Sequence, residues 1–503
     1  MHSKCMATEP LNSGDRQFFE WVTRAAFANP FGSERMELDR KITGAAQFQD
    51  EAARVAHLQR AVTERWRRLT GKERPALRDF DRADRDRVRH VLLFDVYHRV
   101  LEKLDDHIVT QVQAGDVPVA VPCGTPAIQE LVHAGFGPEA AGRYFAIFFQ
   151  IRRAYYFIWQ GLIGSSRCMQ RLREQLWDTV FTHDIGCYDQ YLWNRMEDFS
   201  TLLLGETGTG KGASAAAIGR SGYIPFAEHK GTFEESFQRS FVALNLSQFP
   251  ETLIESELFG HCKGAFTGAV ASHQGAFARC SAHGSIFLDE IGEVNIPIQI
   301  KLLQVLQERT FSPVGSHQTQ RFRGRVIAAT NRSLEALRSG KLFRDDFFYR
   351  LCSDVVTVPP LRQRLEEAPE ELAGLVEHLL HRLTGQAVPD LVALVLEVLH
   401  QEVPPAYSWP GNVRELEQAI RRILLTRRYR GEGSTAGPDL RSRLLAQVEQ
   451  GTLDADALLA GYCQLLHERH QTIEEVARRT NLDRRTVKRY LGMAVAPPTP
   501  GLA

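Results

Sequence analysis

The sequence predicts an α/β domain built on a phosphate-binding loop, set between an all-helical N-terminal region and a C-terminal helix-turn-helix. Three observations point there. Gly205-Glu206-Thr207-Gly208-Thr209-Gly210-Lys211 follows the apolar run Thr201 to Leu204 and precedes the alanine-rich Gly212 to Ile218, the order strand, glycine loop, helix. Further apolar runs end in polar residues and alternate with helical stretches, which implies a parallel sheet with helices on both faces. Near the C-terminus two short amphipathic helices flank a tight turn, and the second is rich in arginine.

Composition bounds the rest. A chain of 503 residues holds about three domains. Its 61 Lys and Arg balance 61 Asp and Glu, so any DNA contact must come from a local basic patch. Eight scattered cysteines without a C-x-x-C pair point to reduced thiols in a cytosol, and away from a disulfide scaffold or zinc site. The N-terminus reads as lacking a signal peptide. The most apolar stretch, Tyr144 to Gly164, carries Arg152 and Arg153 at its centre, which fits a buried amphipathic helix rather than a membrane span. A cytoplasmic protein with no membrane partner is expected.

Residues 1–188 read as a helical regulatory or sensory domain. Val55, Leu58, Val62 and Trp66 recur at helical spacing within a densely charged segment. A breaker-rich loop, Gly115 to Pro126, follows. The aromatic set from Tyr144 to Trp159 reads as core or dimer interface, with a ligand pocket as the alternative. His183, Asp184 and Cys187 are too loosely spaced for a metal site to be expected.

Chemistry concentrates between 189 and 365. Glycines 205, 208 and 210 let backbone N–H groups turn toward a phosphate, the next helix aims its positive end there, and Lys211 adds a full charge. Phe241 to Asn245 reads as the second strand. Ser285 to Glu290 reads as a buried strand ending in two acids, roughly eighty residues after the lysine, where Asp289 can hold Mg²⁺ and Glu290 can polarise a water. Arg325 to Asn331 reads as a further strand, whose terminal amide reaches toward a γ-phosphate or that water. Gly264-Ala265-Phe266-Thr267-Gly268-Ala269 is a glycine-hinged loop, which either presents Phe266 or folds it into the core.

These motifs appear in a telling order. GETGTGK, ESELFGH, GAFTGA, IFLDEIGE, RVIAATNR, Phe343 to Leu351, Pro359 to Arg364 and Trp409 to Glu417 together resemble the AAA+ domain of bacterial enhancer-binding proteins, the NtrC-type activators of sigma-54 RNA polymerase. The resemblance covers residues 189–430, with GAFTGA its most specific element. It implies an α/β AAA+ ATPase subdomain over 189–365 and an α-helical lid over 366–430. It implies ATP and Mg²⁺ as cofactors, with Gly205, Glu206, Thr207, Gly208, Thr209, Gly210, Lys211 and Gly212 around the phosphates. Asp289 and Glu290 become the Walker B pair, Asn245 the switch asparagine paired with Glu290, and Asn331 sensor I. Arg344 and Arg350 become arginine fingers supplied to a neighbouring subunit, and Arg414 becomes sensor II. Gly264, Ala265, Phe266, Thr267, Gly268 and Ala269 would then grip sigma-54, and fingers in trans imply a ring, hexameric by resemblance. Two departures stand out. The residue after the lysine, a magnesium-binding Ser/Thr in many such loops and Glu in these activators, is Gly212. The link from Gly219 to Ser240 is long, which suggests a subunit or regulatory contact.

After a linker over 431–440, residues 441–492 hold a short helix, Leu440 to Gln450, then a trihelical pattern. Thr472 and Glu475 have capping-box spacing. Arg484, Arg485, Thr486, Lys488 and Arg489 lie on the third helix, and Tyr462 to Tyr490 holds seven Lys/Arg against four Asp/Glu. The pattern resembles a Fis-type domain that binds double-stranded DNA at an upstream site. Residues 493–503 are Pro-rich and expected to be disordered. The implied function is a DNA-binding activator that uses ATP hydrolysis to open sigma-54 RNA polymerase complexes. The rivals are a DNA-binding regulator with weak or absent ATPase, supported by Gly212, and an AAA+ remodeller of another client.

Overall fold

The computed structural model describes residues 11–339, 342–404, 407–429, 444, 445, 447, 448 and 453–492, so the predicted linker over 431–440 and tail over 493–503 lie outside the described residues. The chain divides into two units, Met1–Glu397 with Ser408–Leu424, and Val398–Tyr407 with Leu425–Ala503.

The segment before the glycine loop is helical: α1 (Ser13–Phe27), α2 (Ser33–Thr43), α3 (Glu51–Thr70), α4 (Arg85–Ala114), α5 (Gly124–His133), α6 (Pro138–Gly161), α7 (Arg167–Phe181) and the single turn α8 (Ile185–Cys187). Local chemistry sets several ends. Asn12 and Asp50 accept backbone N–H groups at the starts of α1 and α3, and Gly71 ends α3 in the left-handed geometry that glycine adopts freely. The stripe of Val55, Leu58, Val62 and Trp66 is buried as its spacing predicts. Trp66 meets Phe19 at 5.1 Å between ring centroids, and its indole N–H donates to Asp95 at 3.1 Å. Asp184 spends one carboxylate oxygen capping α8.

The central sheet has five parallel strands in the order β4-β5-β8-β1-β9: β1 (Thr201–Leu204), β4 (Phe241–Asn245), β5 (Ser285–Asp289), β8 (Arg325–Thr330) and β9 (Asp354–Thr357). Two small hairpins, β2 (Phe226–Ala227) with β3 (Thr232–Phe233), and β6 (Thr310–Phe311) with β7 (Gln320–Arg321), complete the strands of the described residues. The sequence does not announce β9, since Asp-Val-Val-Thr holds only two apolar residues. Register decides what meets at the carboxyl edge: Asn245 lies opposite Asp289, and Leu204 opposite Thr330. Loop residues 205, 290 and 331 therefore leave the sheet side by side, the usual place for a ligand in a parallel sheet.

The long Gly219–Ser240 link is the β2–β3 hairpin, and its partner is the helical region of the same chain. Phe233 stacks on Phe149 at 3.9 Å, Phe226 stands edge-on to Phe145 at 5.1 Å, and the Val121 N–H donates to the Gly231 carbonyl at 2.8 Å. The adjacent arginines of α6 part company. Arg152 pairs with Asp105 and Glu51, whereas the fully buried Arg153 donates to the carbonyls of Arg220 at 2.8 Å and Gly222 at 2.6 Å. One apolar core runs from Phe19 and Trp66 through Phe149 to Leu203, Ile327 and Val356 of the sheet.

In the second unit, helices Ala455–His470, Ile473–Thr480 and Arg484–Leu491 close on Ala460, Cys463, Val476, Val487 and Tyr490. Of the helix expected over Leu440–Gln450, the described residues 444, 445, 447 and 448 are helical. The capping box expected at Thr472 is absent. Glu475 is instead held by Arg478 and Arg479, which pull its carboxyl down to about 2, and the Thr472 side chain caps nothing.

Candidate functional site

The glycine loop leads into a helix, α9 (Lys211–Gly219), which begins at the lysine itself. Gly208 has φ +81°, and a Cβ there would lie 2.2 Å from the Gly411 carbonyl, so both conformation and close approach require glycine. Lys211 is buried, and its Nζ donates to the carbonyls of Gly205 at 2.8 Å and Glu206 at 3.1 Å. Burial lowers its pKa, opposed by the charges of Glu290 and Asp289. Asp289 ends β5 and accepts the Glu290 N–H at 3.1 Å. Glu290 holds left-handed backbone at φ +56°. Burial raises its carboxyl pKa, and Asp289 pushes the same way against Lys211. Asn331 reaches back to the glycine loop, its Nδ2 lying 3.5 Å from Thr207 Oγ1.

Asn245 sits level with Asp289, but its side-chain oxygen accepts from the N–H and hydroxyl of Ser247. The Asn245–Glu290 pairing implied by resemblance is not among the hydrogen bonds of the described residues. Arg414 lines the cleft above the glycine loop. Arg344 precedes the helix Asp345–Leu351 as its N-cap residue, and Arg350 lies in its last turn. The first pairs with Asp346 in the open, and the second donates to the Leu306 carbonyl at 3.0 Å.

Sequence reasoning passed over two residues that hold the loop. Arg362 makes a two-pronged pair with Glu206 at 2.8 and 2.6 Å, which keeps that carboxyl below its ordinary range. Asn412, fully buried at φ +54°, donates to Glu206 at 3.2 Å and to the Thr207 carbonyl at 3.0 Å, and accepts from the Leu361 N–H at 2.7 Å. Both stand inside motifs that the sequence displays, Pro359 to Arg364 and Trp409 to Glu417. Their role needed the lid helix Asn412–Thr426 to be set against the loop.

The resulting cleft has a volume of about 460 Å³. Its floor is the glycine loop with Asp289 and Glu290. One part of its wall is apolar, with Leu162, Ile163, Leu375, Leu379 and Val413, and Arg364, His378, Arg382 and Glu417 line it as well. A phosphate chain suits the floor and a flat base suits the wall. Among the described residues no group of three or more His, Cys, Asp or Glu could hold a metal ion, so a cation here would rest on Asp289 and phosphate oxygens, a donor set that fits Mg²⁺.

Two further features lie away from the cleft. Bridges from His261 to His273 and Val314 pin the base of the 264–269 loop. Within it the Gly264 N–H donates to the Ala269 carbonyl at 2.8 Å, and Gly264 and Gly268 take positive φ. Phe266 is 40% exposed, edge-on to His261, so it is presented rather than folded into the core. On helix Arg484–Leu491, Arg484, Arg485, Lys488 and Arg489 are exposed. Thr486 is half-buried, and its hydroxyl donates to the capping Asp483 at 2.6 Å. Among the described residues no helix is long and apolar enough to cross a membrane.

Comparison with known proteins adds an independent line. The sigma-54 interaction domain matches residues 188–357, and an AAA+ ATPase lid domain matches residues 366–454. The chain is 36% identical over 345 residues to the DNA-binding transcriptional activator HyfR of Escherichia coli (strain K12), which covers 64% of this chain and 48% of that protein. It is 38% identical over 281 residues to the sigma54-dependent transcriptional activator SfnR of Pseudomonas putida, 55% of this chain and 71% of that one. It is 44% identical over 231 residues to the Nif-specific regulatory protein of Azotobacter vinelandii, 46% of this chain and 40% of that one. The chain thus spans half or less of the length of HyfR and of the Nif-specific protein.

Proposed function

The chain belongs to the sigma-54-dependent transcriptional activators, and we propose that it hydrolyses ATP to convert closed complexes of sigma-54 RNA polymerase into open ones. The observation that carries this reading is the convergence of Lys211, Asp289, Glu290 and Asn331 at one sheet edge, with Phe266 exposed on a pinned loop.

The glycine loop 205–212 and Lys211 bind the β- and γ-phosphates. Asp289 holds Mg²⁺, which supplies charge neutralisation on the phosphates. Glu290 accepts the proton of the attacking water, a role that its raised pKa supports. Asn331 orients that water, and Asn245 relays the phosphate state toward the 264–269 loop. Arg414 closes the lid over the nucleotide. Arg344 and Arg350 act on the ATP of a neighbouring subunit in a ring, hexameric when active, as planar donors suited to developing phosphoryl charge. Gly264 to Ala269 contact sigma-54 through Phe266 and Thr267. Arg484, Arg485, Lys488 and Arg489 contact double-stranded DNA, with Thr486 helping to seat the helix. Residues 1–188 gate the motor.

The test is open-complex formation by sigma-54 RNA polymerase with the full chain, on a promoter carrying its upstream site. Opening is expected with ATP and not with a non-hydrolysable analogue. Intact ATP turnover without opening would replace sigma-54 by another client. Opening that ignores nucleotide would remove the motor from the account.

A further inference from the structure

We propose that the helical region is a binding site for a small neutral molecule, a compact apolar body of about four or five heavy atoms with one hydrogen-bond acceptor, and that its occupancy is felt at the nucleotide cleft. The second half rests on the function proposed above, and the first does not.

A cavity of about 110 Å³ lies among α1, α3, α4, α6 and α7. Leu93, Phe94, Ile147, Phe148, Ile151 and Trp177 supply its apolar walls. An apolar cavity of about 150 Å³ accepts the six heavy atoms of benzene, so this smaller one suits a body of about four or five.

Charge in the ligand is disfavoured. Arg35 and Arg54 are already matched to Asp39 at 2.9 and 2.7 Å, and Arg152 is matched to Asp105 and to Glu51. A charged guest would have to displace one of these partly buried pairs. The Tyr155 hydroxyl is likewise spent, donating to Glu51 at 3.0 Å.

Tyr97 differs. It lines the cavity with its ring edge-on to Phe148 at 5.6 Å, and no described residue hydrogen-bonds its hydroxyl. A phenol O–H facing an apolar cavity, beside the buried and unpartnered Trp177 Nε1–H, calls for an acceptor, which a carbonyl or hydroxyl on the guest provides.

The route to the cleft is short. α6 forms a wall of the cavity with Ile147 and Ile151. On its other side Gln150 and Arg153 bond to the carbonyls of Ser221, Arg220 and Gly222, just beyond the end of α9. The chain leaving α6 enters the cleft at once. Leu162 and Ile163 line it, the Ile163 carbonyl accepts from Arg364, and Glu371 accepts the N–H groups of Ser165 and Ser166. A shift of α6 on binding would therefore reach both the far end of the Lys211 helix and the apolar wall of the cleft.

The experiment is calorimetric titration of the full chain with 2-butanone. Saturable binding is expected, at least tenfold tighter than that of 2-methylbutane, which lacks the acceptor, or of propanoate, which is charged. Tyr97→Phe keeps the ring, and should leave the unfolding midpoint in place while weakening 2-butanone by about five- to tenfold, the worth of one hydrogen bond. No saturable binding, tighter binding of the carboxylate, or unchanged affinity in Tyr97→Phe would overturn the site. ATP turnover measured alongside should change at least twofold on saturation. Binding without such a change overturns the coupling. Binding to a chain with no turnover at all counts against the proposed function and the coupling, and leaves the site standing.

Discussion

The nucleotide cleft and the cavity of the helical region are made in opposite ways. The nucleotide cleft is polar at its floor, lined by consecutive residues of one loop and by the ends of adjacent strands. The cavity of the helical region is apolar, its residues drawn from helices far apart in sequence, its charges already paired. In the cleft burial raises the Glu290 carboxyl, with Asp289 adding to the shift. In the helical region burial lowers the His98 imidazole to about 3. Either way burial favours the neutral form, but only the cleft sets free charged groups against one another. A site meant for phosphate must leave charge unpaired, and a site meant for an apolar guest must not.

The largest expected effect falls on the cleft alone. Lys211→Ala should cut ATP turnover by about 10²–10³-fold, the cost of one preorganised donor to developing charge, while 2-butanone affinity stays within twofold. A change in both would mean that the two cavities share more than α6. Next comes the seam between them. Phe233 is buried and stacked on Phe149, so Phe233→Ala should lower unfolding free energy by about 3–5 kcal/mol in a denaturant titration. A loss below about 1 kcal/mol would show the hairpin to be a loose appendage.

The titrations separate the regions by sign. His98 is neutral in the folded protein, with its ordinary value of 6.5 left to the unfolded chain. The unfolded state therefore takes up the proton first, and stability should fall as pH drops from 6.5 toward about 3. His98→Gln should flatten that slope, and an unchanged slope would assign it to carboxylates elsewhere. ATP turnover, if Glu290 must be ionised, should lose its acid limb above the ordinary carboxylate value of 4.5, and Glu290→Gln should abolish turnover at every pH.

Two smaller effects test the loop. The Arg362–Glu206 pair is 41% and 43% exposed, so Arg362→Ala should cost less than about 1 kcal/mol of stability. It should still raise the KM for ATP several-fold, because Glu206 loses its main tether. A KM that does not move would leave the tether to Asn412. At Gly212 an added Cβ meets nothing within 4 Å, so Gly212→Ala should stabilise the chain by about 0.5–1 kcal/mol. Destabilisation would mean that the position needs glycine for another reason.

Much of the cleft was legible because each part is a short local pattern. The glycine loop, the Asp289–Glu290 pair and Asn331 are read residue by residue from runs that end in polar groups. Arg362 and Asn412 were visible but mute, since their partners lie 156 and 206 residues away. The sequence places the start of the ATPase subdomain at residue 189, which invites a fragment cut there. In the structure it would strip α6 and α7 from a core that they share with Leu203, Ile327 and Val356.

By itself the sequence determined the family, the parallel sheet, the phosphate loop and the basic third helix near the C-terminus, because these follow from patterns a few residues long. Tertiary structure alone decided that Phe266 is presented, that the 219–240 link clasps the helical region, and that Arg152 and Arg153 serve opposite faces of one helix. Those outcomes depend on which distant surfaces meet. The free energy of such meetings is set by the shape and charge of both partners, and neither partner is written in the other's stretch of chain.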